Sequence, residues 1–266
     1  MKSKIGVAAV TGFLATALFA TLATAQCNPV QSLPGVMINF DDDAWAYETA
    51  YTPGSFTSAV GSQLTVVGVV SVFCVPFADL NPLDPSTEYT FIWDGLTSLG
   101  TTSQPYGIGG TGTQYTTKYL GGSFRVYAGS PRNAPTAASL MALPAPGVVP
   151  DIFVDGTMIL GGGLDTLVVV VRRTGTGSFS GSFRTNYQCS GGTLYARVGN
   201  SINLLSGSWC PAMPPPPPGL AAQAVQAIGQ CDLKIGWSAH PKGKWDAPIT
   251  VPAKPTTWGK IKTLYR

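Results

Sequence analysis

The sequence predicts an all-β protein: a β-sandwich or jelly-roll-like domain, followed by a proline-rich spacer and a short helical tail. Short runs of β-branched and aromatic residues recur along the chain and are separated by turn residues. The 32 glycines and 22 prolines suit many tight turns, and no segment before residue 215 has the apolar period of a helix. Strands of this length and spacing are typical of sandwiches and jelly rolls.

The strands follow one another at short intervals from residue 35. The β-branched run 64–74 indicates a core strand, and Tyr89, Phe91 and Trp93 share one face of an alternating strand before a predicted turn at Asp94-Gly95. Glycines at 121–122 and 161–163 indicate hairpins, and the prolines within 129–150 indicate a long loop. The other predicted strands cover 35–40, 115–119, 123–127, 154–160, 166–172, 177–187 and 193–198.

Residues 1–25 are predicted to be a signal peptide. Lys2 and Lys4 precede an apolar stretch, and Ala23-Thr24-Ala25 forms a small-x-small cleavage site. Gln26 is too large to precede a lipid-modified cysteine, so we expect neither a lipid anchor nor a transmembrane anchor after cleavage. The mature protein is expected to be secreted, extracellular or associated with the cell envelope.

The β domain is predicted to span 26–211. The run MPPPPPG then begins a proline-rich spacer and extended linker over 212–255, with one short helix at 220–228. The glycine motif GIGGTG at 107–112 matches a dinucleotide-binding pattern, but that chemistry needs a helix directly after the motif. A Thr- and Tyr-rich strand is predicted there instead, so we interpret the motif as a loop.

Five cysteines in an exported chain favour disulfides. With one histidine and no C-x-x-C motif, the sequence predicts no zinc site. Our preferred pairs leave Cys231 over, and Cys231 competes for either partner of the second pair. The two predicted disulfides are Cys189–Cys210 and Cys27–Cys74.

The charge is divided unevenly along the chain. Residues 26–231 carry seven basic against eleven acidic residues, whereas residues 232–266 carry seven basic against two acidic. The predicted domain is therefore mildly acidic, and we expect no nucleic-acid partner because no basic face is evident in it.

The strongest candidate binding cluster follows the first strand. Carboxylates this close together suit calcium, for which Asp41 and Asp43 are the candidate ligands, although a solvated strand end is the commoner outcome. Aromatic rings beside carboxylates also suit a sugar, although core packing is their more frequent role. The candidate ligand-binding residues are Asp41, Asp43, Trp45, Tyr47 and Glu48.

No catalytic residues are predicted. A glycoside hydrolase needs two ordered carboxyls, and nothing in the sequence orders a pair. Serine hydrolysis needs a base, and His240 lies in the predicted linker. We expect a protein without enzymatic activity and without a cofactor, calcium excepted, and a glycoside hydrolase is the least favoured alternative.

The last eleven residues, 256–266, are predicted to form a short basic amphipathic tail, marginal as a helix without a partner. The apolar stripe of this tail, which we expect a partner to recognise, consists of Trp258, Ile261, Leu264 and Tyr265. The ending TWGKIKTLYR resembles the tails of a group of uncharacterised secreted bacterial proteins, and DPSTEYT at 84–90 and DGTMILGG at 155–162 are similar to stretches of that group. The resemblance implies export, a β-rich body and a tail read by a sorting or envelope receptor.

The sequence therefore predicts an exported, non-enzymatic β-sandwich protein of the cell envelope or extracellular space, with its tail as a sorting or attachment signal. The alternative is a carbohydrate- or calcium-binding module. The partners expected are a receptor for the tail and, under the alternative, a glycan.

Overall fold

The computed structural model describes residues 35–41, 43–50, 52, 55–134, 151–174, 179–211 and 238–246. These ranges contain twelve strands and three 3-10 turns, at Ile108–Gly110, Asp151–Phe153 and Tyr195–Arg197, so the predicted all-β class is confirmed. In chain order the strands are β1 Val36–Phe40, β2 Ala44–Glu48, β3 Gln63–Val69, β4 Val72–Phe73, β5 Glu88–Tyr106, β6 Gly112–Leu120, β7 Ser123–Gly129, β8 Thr157–Leu164, β9 Leu167–Arg173, β10 Phe179–Gly191, β11 Ile202–Pro211 and β12 Ala239–Asp246.

The twelve strands are segments of eight longer ones. β6 and β7 lie end to end because both pair with β5, and β8 and β9 lie end to end because both pair with β10. In the same way β1 and β2 form one long strand because both pair with β12. β4 and β3 form the next long strand, since β4 pairs with β1 and β3 pairs with β2. Each long strand pairs antiparallel with the next one along the chain, as in an up-and-down meander.

The meander closes on itself, so the fold is an eight-stranded barrel rather than the predicted sandwich or jelly roll. β12 pairs with β11 on one side and with β1 and β2 on the other. The prediction failed because residues 239–246 were assigned to a linker. Without that strand the ring is an open sheet of seven, which would have to bury its face against a second sheet.

Strand β12 looks like a linker because it contains Pro241, Gly243 and two lysines. Pro241 has no N–H to donate, and it lies where β12 passes the break between β1 and β2 at residues 41–43. The inward positions Ala239, Gly243 and Trp245 alternate as a strand requires. The folded domain therefore extends beyond residue 211 and includes part of the predicted linker.

The hairpins predicted at the glycines 121–122 and 161–163 are also wrong. Gly121 and Gly122, both with positive φ, separate two segments that remain on the same neighbour, and Gly161–Gly163 lie within β8. Gly95 likewise lies inside β5, at φ 72°. Interruptions of this kind let long strands bend around a barrel, so turn-like glycines here mark bends instead of chain reversals.

Aromatic side chains fill the middle of the barrel. Trp93 and Trp245 are fully buried with ring centroids 5.9 Å apart, and Phe40 packs edge-on against both at 5.6 and 5.1 Å. Inward glycines make room for these rings: a Cβ on Gly243 would lie 2.6 Å from Phe183 and 2.9 Å from Phe40. Eight strands enclose an interior just wide enough for side chains to fill, which is what is found here.

Several predicted segments lie outside the described residues: the signal peptide, the helix at 220–228 and the tail 256–266. Within the described part, residues 107–111 of the glycine motif join β5 to β6 as a turn, and strand β6 follows from Gly112 instead of a helix. No helix in that part is long and apolar enough to span a bilayer.

Candidate functional site

Successive side chains of β2 lie on opposite faces of the barrel wall, so the residues of the predicted acidic and aromatic cluster do not lie together. Trp45 lies on the outer surface of the barrel wall, yet it is fully buried, because a covering segment made up of residues 130–134 and 151–154 packs over it. Its ring packs on Phe153 at 6.3 Å and stacks on His240 at 6.5 Å between centroids. Trp45 is therefore not an exposed platform for a sugar, and Tyr47 is only partly exposed.

Two side chains from β5 hold that covering segment in place. Glu88 accepts hydrogen bonds from the backbone N–H groups of Asn133 and Ala134 at 3.1 and 2.9 Å, and Thr90 donates to the carbonyl of Phe153 at 2.9 Å. These bonds are buried or partly buried, so the cover is an integral part of the domain.

The carboxylates of the cluster are also separated. Asp41 is exposed and accepts a hydrogen bond from Ser71 Oγ at 3.3 Å, whereas Glu48 is buried inside the barrel. Asp43 stands at the break between β1 and β2, where its carbonyl accepts the N–H of Val69 at 2.8 Å. Among the residues described, no three His, Cys, Asp or Glu side chains come together as a metal site. Asp41 and Asp43 remain the candidate calcium ligands, and backbone carbonyls or waters would have to supply the rest of the six to eight oxygens that calcium takes.

Glu48 lies in a cavity at the end of the barrel where β2, β6, β9 and β11 meet. One wall consists of hydroxyl groups, including those of Ser58, Thr117 and Tyr119, and the other is apolar, with Trp209 and Val171. The cavity has a volume of about 30 Å³, room for one or two waters. It is only partly enclosed.

Residues 56–58, between β2 and β3, line this cavity and supply the first partner of Glu48. Ser58 Oγ donates to Glu48 Oε1, and Tyr119 Oη donates to Glu48 Oε2 at 3.2 Å. Phe56 anchors the segment in left-handed conformation at φ 53°, with its ring 5.7 Å from that of Tyr115. A non-glycine residue in this conformation costs about 1–2 kcal/mol, which packing must offset.

A chain of hydroxyls extends from the carboxyl into the barrel wall. Ser58 Oγ lies 2.6 Å from Ser98 Oγ, and the Ser58 N–H donates to Thr101 Oγ1 at 2.8 Å. Thr101 in turn shares a 2.6 Å hydrogen bond with Thr117. Five oxygen-bearing side chains are therefore connected around one buried acid.

Burial raises the pKa of Glu48 above its ordinary value, and the hydrogen bonds from Ser58, Ser62 and Tyr119 oppose that rise. A carboxyl with a raised pKa can hold its proton and then both donate and accept hydrogen bonds. Glu48 is the one acid among the residues that line the cavity. Glycoside hydrolysis needs a second carboxyl about 5–10 Å away, so this cavity suits binding better than that chemistry.

Sequence reasoning found Glu48 but assigned it to the wrong neighbours. The missed residues, Ser58, Ser98, Thr101, Thr117 and Tyr119, come from three separate segments. One signal was available: Tyr115, Thr117 and Tyr119 alternate on one face of β6, and a polar residue at an inward position indicates a polar interior nearby.

The predicted disulfide Cys189–Cys210 is wrong. Cys189 is a buried free thiol on β10, whereas Cys210 is disulfide-bonded and therefore has another partner. β10 and β11 are neighbours, but their register places Cys210 beside Ser180, nine residues from Cys189 along β10. That separation is about 30 Å, against a Cα distance of about 4–7 Å for a disulfide. Cys74 is also disulfide-bonded, and its pairing with Cys27 stays a prediction because Cys27 is outside the described residues.

Comparison with protein-family models, with curated proteins and with solved structures finds no match to this chain.

Proposed function

We propose that the protein is an exported, non-enzymatic barrel of the cell envelope or extracellular space, with its C-terminal segment 256–266 as a sorting or attachment signal. The observation that carries this proposal is the packing of the barrel. Trp93, Trp245, Phe40 and Phe91 are all fully buried in its middle, which favours a structural or docking role over a deep ligand site.

The completeness of the ring supports a separate role for the tail. Residues 36–246 supply all eight long strands, and each strand is hydrogen-bonded on both sides. A closed ring leaves no edge for another strand to join. The barrel thus needs no further strand from the tail, which supports our assignment of the apolar stripe Trp258, Ile261, Leu264 and Tyr265 to recognition by a receptor, as the resemblance of the ending to other secreted tails suggests.

Truncation tests this proposal. Cells making the full chain and a chain ending at Pro255 should differ in where the protein accumulates, with the shorter form released or degraded instead of cell-associated. Trp258→Ala should reproduce most of the change and Lys260→Ala little of it, because retention by an exposed charge alone is weak. Unchanged location of the truncated chain, or loss of its cooperative thermal unfolding, would refute the role of the tail.

Export is tested separately. Sequencing the N-terminus of the mature protein should identify Gln26 as the first residue, as the cleavage site Ala23-Thr24-Ala25 predicts. A mature protein that retains residues 1–25 would contradict export by this signal.

A second candidate function is suggested by the Glu48 cavity: binding of one small neutral polar group, such as a sugar hydroxymethyl. A buried acid that can donate or accept, hydroxyl groups and the Trp209 ring together suit such a group, and the volume excludes a whole ring. Calorimetric titration with a panel of monosaccharides should show saturable binding that Tyr119→Phe weakens and Ser190→Ala, a change at an exposed position of β10 outside the cavity lining, leaves unchanged. Absence of binding in the unaltered protein would exclude this candidate.

A further inference from the structure

The β5–β6 hairpin extends beyond its neighbours at the end of the barrel that holds the Glu48 cavity, and we call residues 102–111 the projecting tip. β5 pairs with β3 only as far as Thr97, whereas its pairing with β6 continues to Tyr106. Every residue from 102 to 111 is exposed. The projecting tip is therefore the first part of this hairpin to meet a partner surface.

The turn at the far end of the projecting tip carries an exposed apolar side chain. Ile108 is 99% exposed, and the residues on either side of it are glycines, which have no side chain to shield it. Tyr106, just before the turn, is 39% exposed. A single exposed apolar residue on a barrel wall needs no explanation, but at the end of a projecting hairpin it is placed to enter an apolar phase.

Two arginines of β9 stand beside the projecting tip. A Cβ on Gly112, the first residue of β6, would collide with the Arg173 carbonyl, so β9 reaches the base of the turn. The guanidinium carbon of Arg172 lies 5.4 Å from the ring centre of Tyr106, and its Nε donates to Gln114 Oε1 at 2.9 Å. Gln114 is neutral, so this bond holds the guanidinium in place without cancelling its charge.

The charges of the described barrel are distributed unevenly between its two ends. Around the projecting tip, the described stretches without any Asp or Glu are 55–62, 97–120, 167–174 and 179–184. The loops that precede β5 and β8 lie at the opposite end, and their acids are Asp79, Asp84, Asp151 and Asp155. A molecule with this polarity turns the projecting tip, and not the acidic end, toward a negatively charged surface.

We propose that the projecting tip docks the barrel on an anionic lipid bilayer. The Ile108 side chain enters the acyl region, the Tyr106 ring lies at the interface, and Arg172 and Arg173 contact lipid phosphates. Aromatic rings prefer the interface of a membrane, and each arginine close to an anionic bilayer adds to the attraction. An acidic polymer would match the arginines, but it offers no apolar phase for the isoleucine. This docking does not depend on the tail or on the route of export.

The docking is expected to be weak and reversible. One inserted isoleucine and two arginines together approach the membrane affinity of a single acyl chain, for which the association constant is on the order of 10⁴ M⁻¹. The contribution of the arginines should decrease as salt is added. Binding is therefore measured with vesicles at millimolar lipid and at low and moderate salt.

A fluorescent label at the turn tests insertion directly. The mature protein with Ile108→Cys is labelled with an environment-sensitive dye, and the native thiol of Cys189 is buried and does not compete. The emission should shift saturably to shorter wavelength on vesicles of phosphatidylcholine mixed with phosphatidylglycerol, and much less on phosphatidylcholine alone. The matched control is the same label at Ile202→Cys, which is 69% exposed at the opposite end of the barrel and should not shift.

Cosedimentation of unlabelled variants with the same anionic vesicles measures each contribution. Ile108→Ser should bind about tenfold more weakly or less, and Arg173→Gln about fivefold more weakly. The matched controls Ile202→Ser and Arg132→Gln change exposed residues at the opposite end and should bind like the unaltered protein. The effect of Ile108→Ser should be the same in a chain that also carries Trp258→Ala, so a contribution of the tail is separated from that of the projecting tip.

Four results would overturn the proposal. They are no shift of the label at Ile108→Cys on anionic vesicles, an equal shift of the label at Ile202→Cys, equal binding by Ile108→Ser and the unaltered protein, and a concentration-dependent shift without lipid, which would assign the projecting tip to a second copy of the chain. Because these measurements use purified protein, failure of tail-dependent localisation would leave their outcome unchanged.

Discussion

Replacing Trp245 tests the closure of the barrel directly, because Trp245 belongs to the one strand that sequence reasoning had assigned to a linker. Its ring is fully buried and lies 5.1 Å from Phe40, 5.2 Å from Phe91 and 5.9 Å from Trp93. Truncating a buried tryptophan to alanine costs about 3–5 kcal/mol of unfolding free energy. The three neighbouring rings cannot collapse into the vacated space without disturbing one another, so the upper half of that range applies.

The assay is thermal unfolding of the mature protein, followed by calorimetry or near-ultraviolet circular dichroism. For a domain of this size the loss corresponds to a fall in the melting temperature of about 8–20 °C. Trp258→Ala is the matched control, and it should leave the melting temperature unchanged because residue 258 lies beyond the ring of strands. A fall of less than about 2 °C for Trp245→Ala would refute the placement of β12 in the barrel.

Three further predictions concern single sites. Gly243→Val should lower the unfolding free energy by about 3 kcal/mol or more in denaturant titrations, because its Cβ would meet Phe183 and the Ser206 carbonyl at 2.6 and 2.7 Å; equal stability would contradict the packed interior. The pKa of Glu48 is raised in the folded state, so the unfolding free energy should fall as the pH rises above 4.5, the ordinary pKa of this group. Glu48→Gln should therefore gain stability relative to the unaltered protein over that window, and unfolding free energies of the two proteins that change in parallel with pH would contradict the buried acid. Burial raises the pKa of the Cys189 thiol to about 12, so a thiol reagent at pH 8 should label it only after unfolding, and rapid labelling of the native protein would place it outside the core.

The sequence indicates most of the strands because β-branched and aromatic runs are a local signal. The runs at 64–74, 87–93 and 115–127 correspond to β3 and β4, to the first part of β5, and to β6 with β7. What local patterns cannot distinguish is a glycine that reverses the chain from a glycine that bends a strand. A glycine such as Gly95 or Gly121 can have positive φ whether it reverses the chain or bends a strand. Only the pairing of the segments on either side shows which of the two it does.

The candidate site, too, could be predicted only in part, because its residues are brought together by the pairing of distant strands. Glu48 stood out because it is an acid in an acidic run, but its real partners are distant in sequence and meet only when the barrel end closes. Alternation assigns each residue to a face, but register determines which residues of one face lie side by side.

The final prediction concerns the boundary of the domain. A mature chain ending at Pro255 contains every strand of the ring, whereas one ending at Pro211 lacks β12 and leaves the hydrogen-bonding edges of β11 and β1 unpaired. It also removes Trp245 from the aromatic cluster. Unpaired edges and an exposed apolar interior promote aggregation. We therefore expect the longer chain to be monomeric with a cooperative unfolding transition, and the shorter chain to aggregate and to bind a hydrophobic dye.

Gel filtration, dye binding and circular dichroism of the two chains make the comparison. Both are kept under reducing conditions, because Cys210 is disulfide-bonded in the native protein and its pairing would otherwise differ between the two chains. If the chain ending at Pro211 unfolds as cooperatively as the longer one and remains monomeric, then the seven preceding strands form a stable sheet by themselves. In that case β12 is an accessory to a fold that the predicted boundary at residue 211 describes correctly.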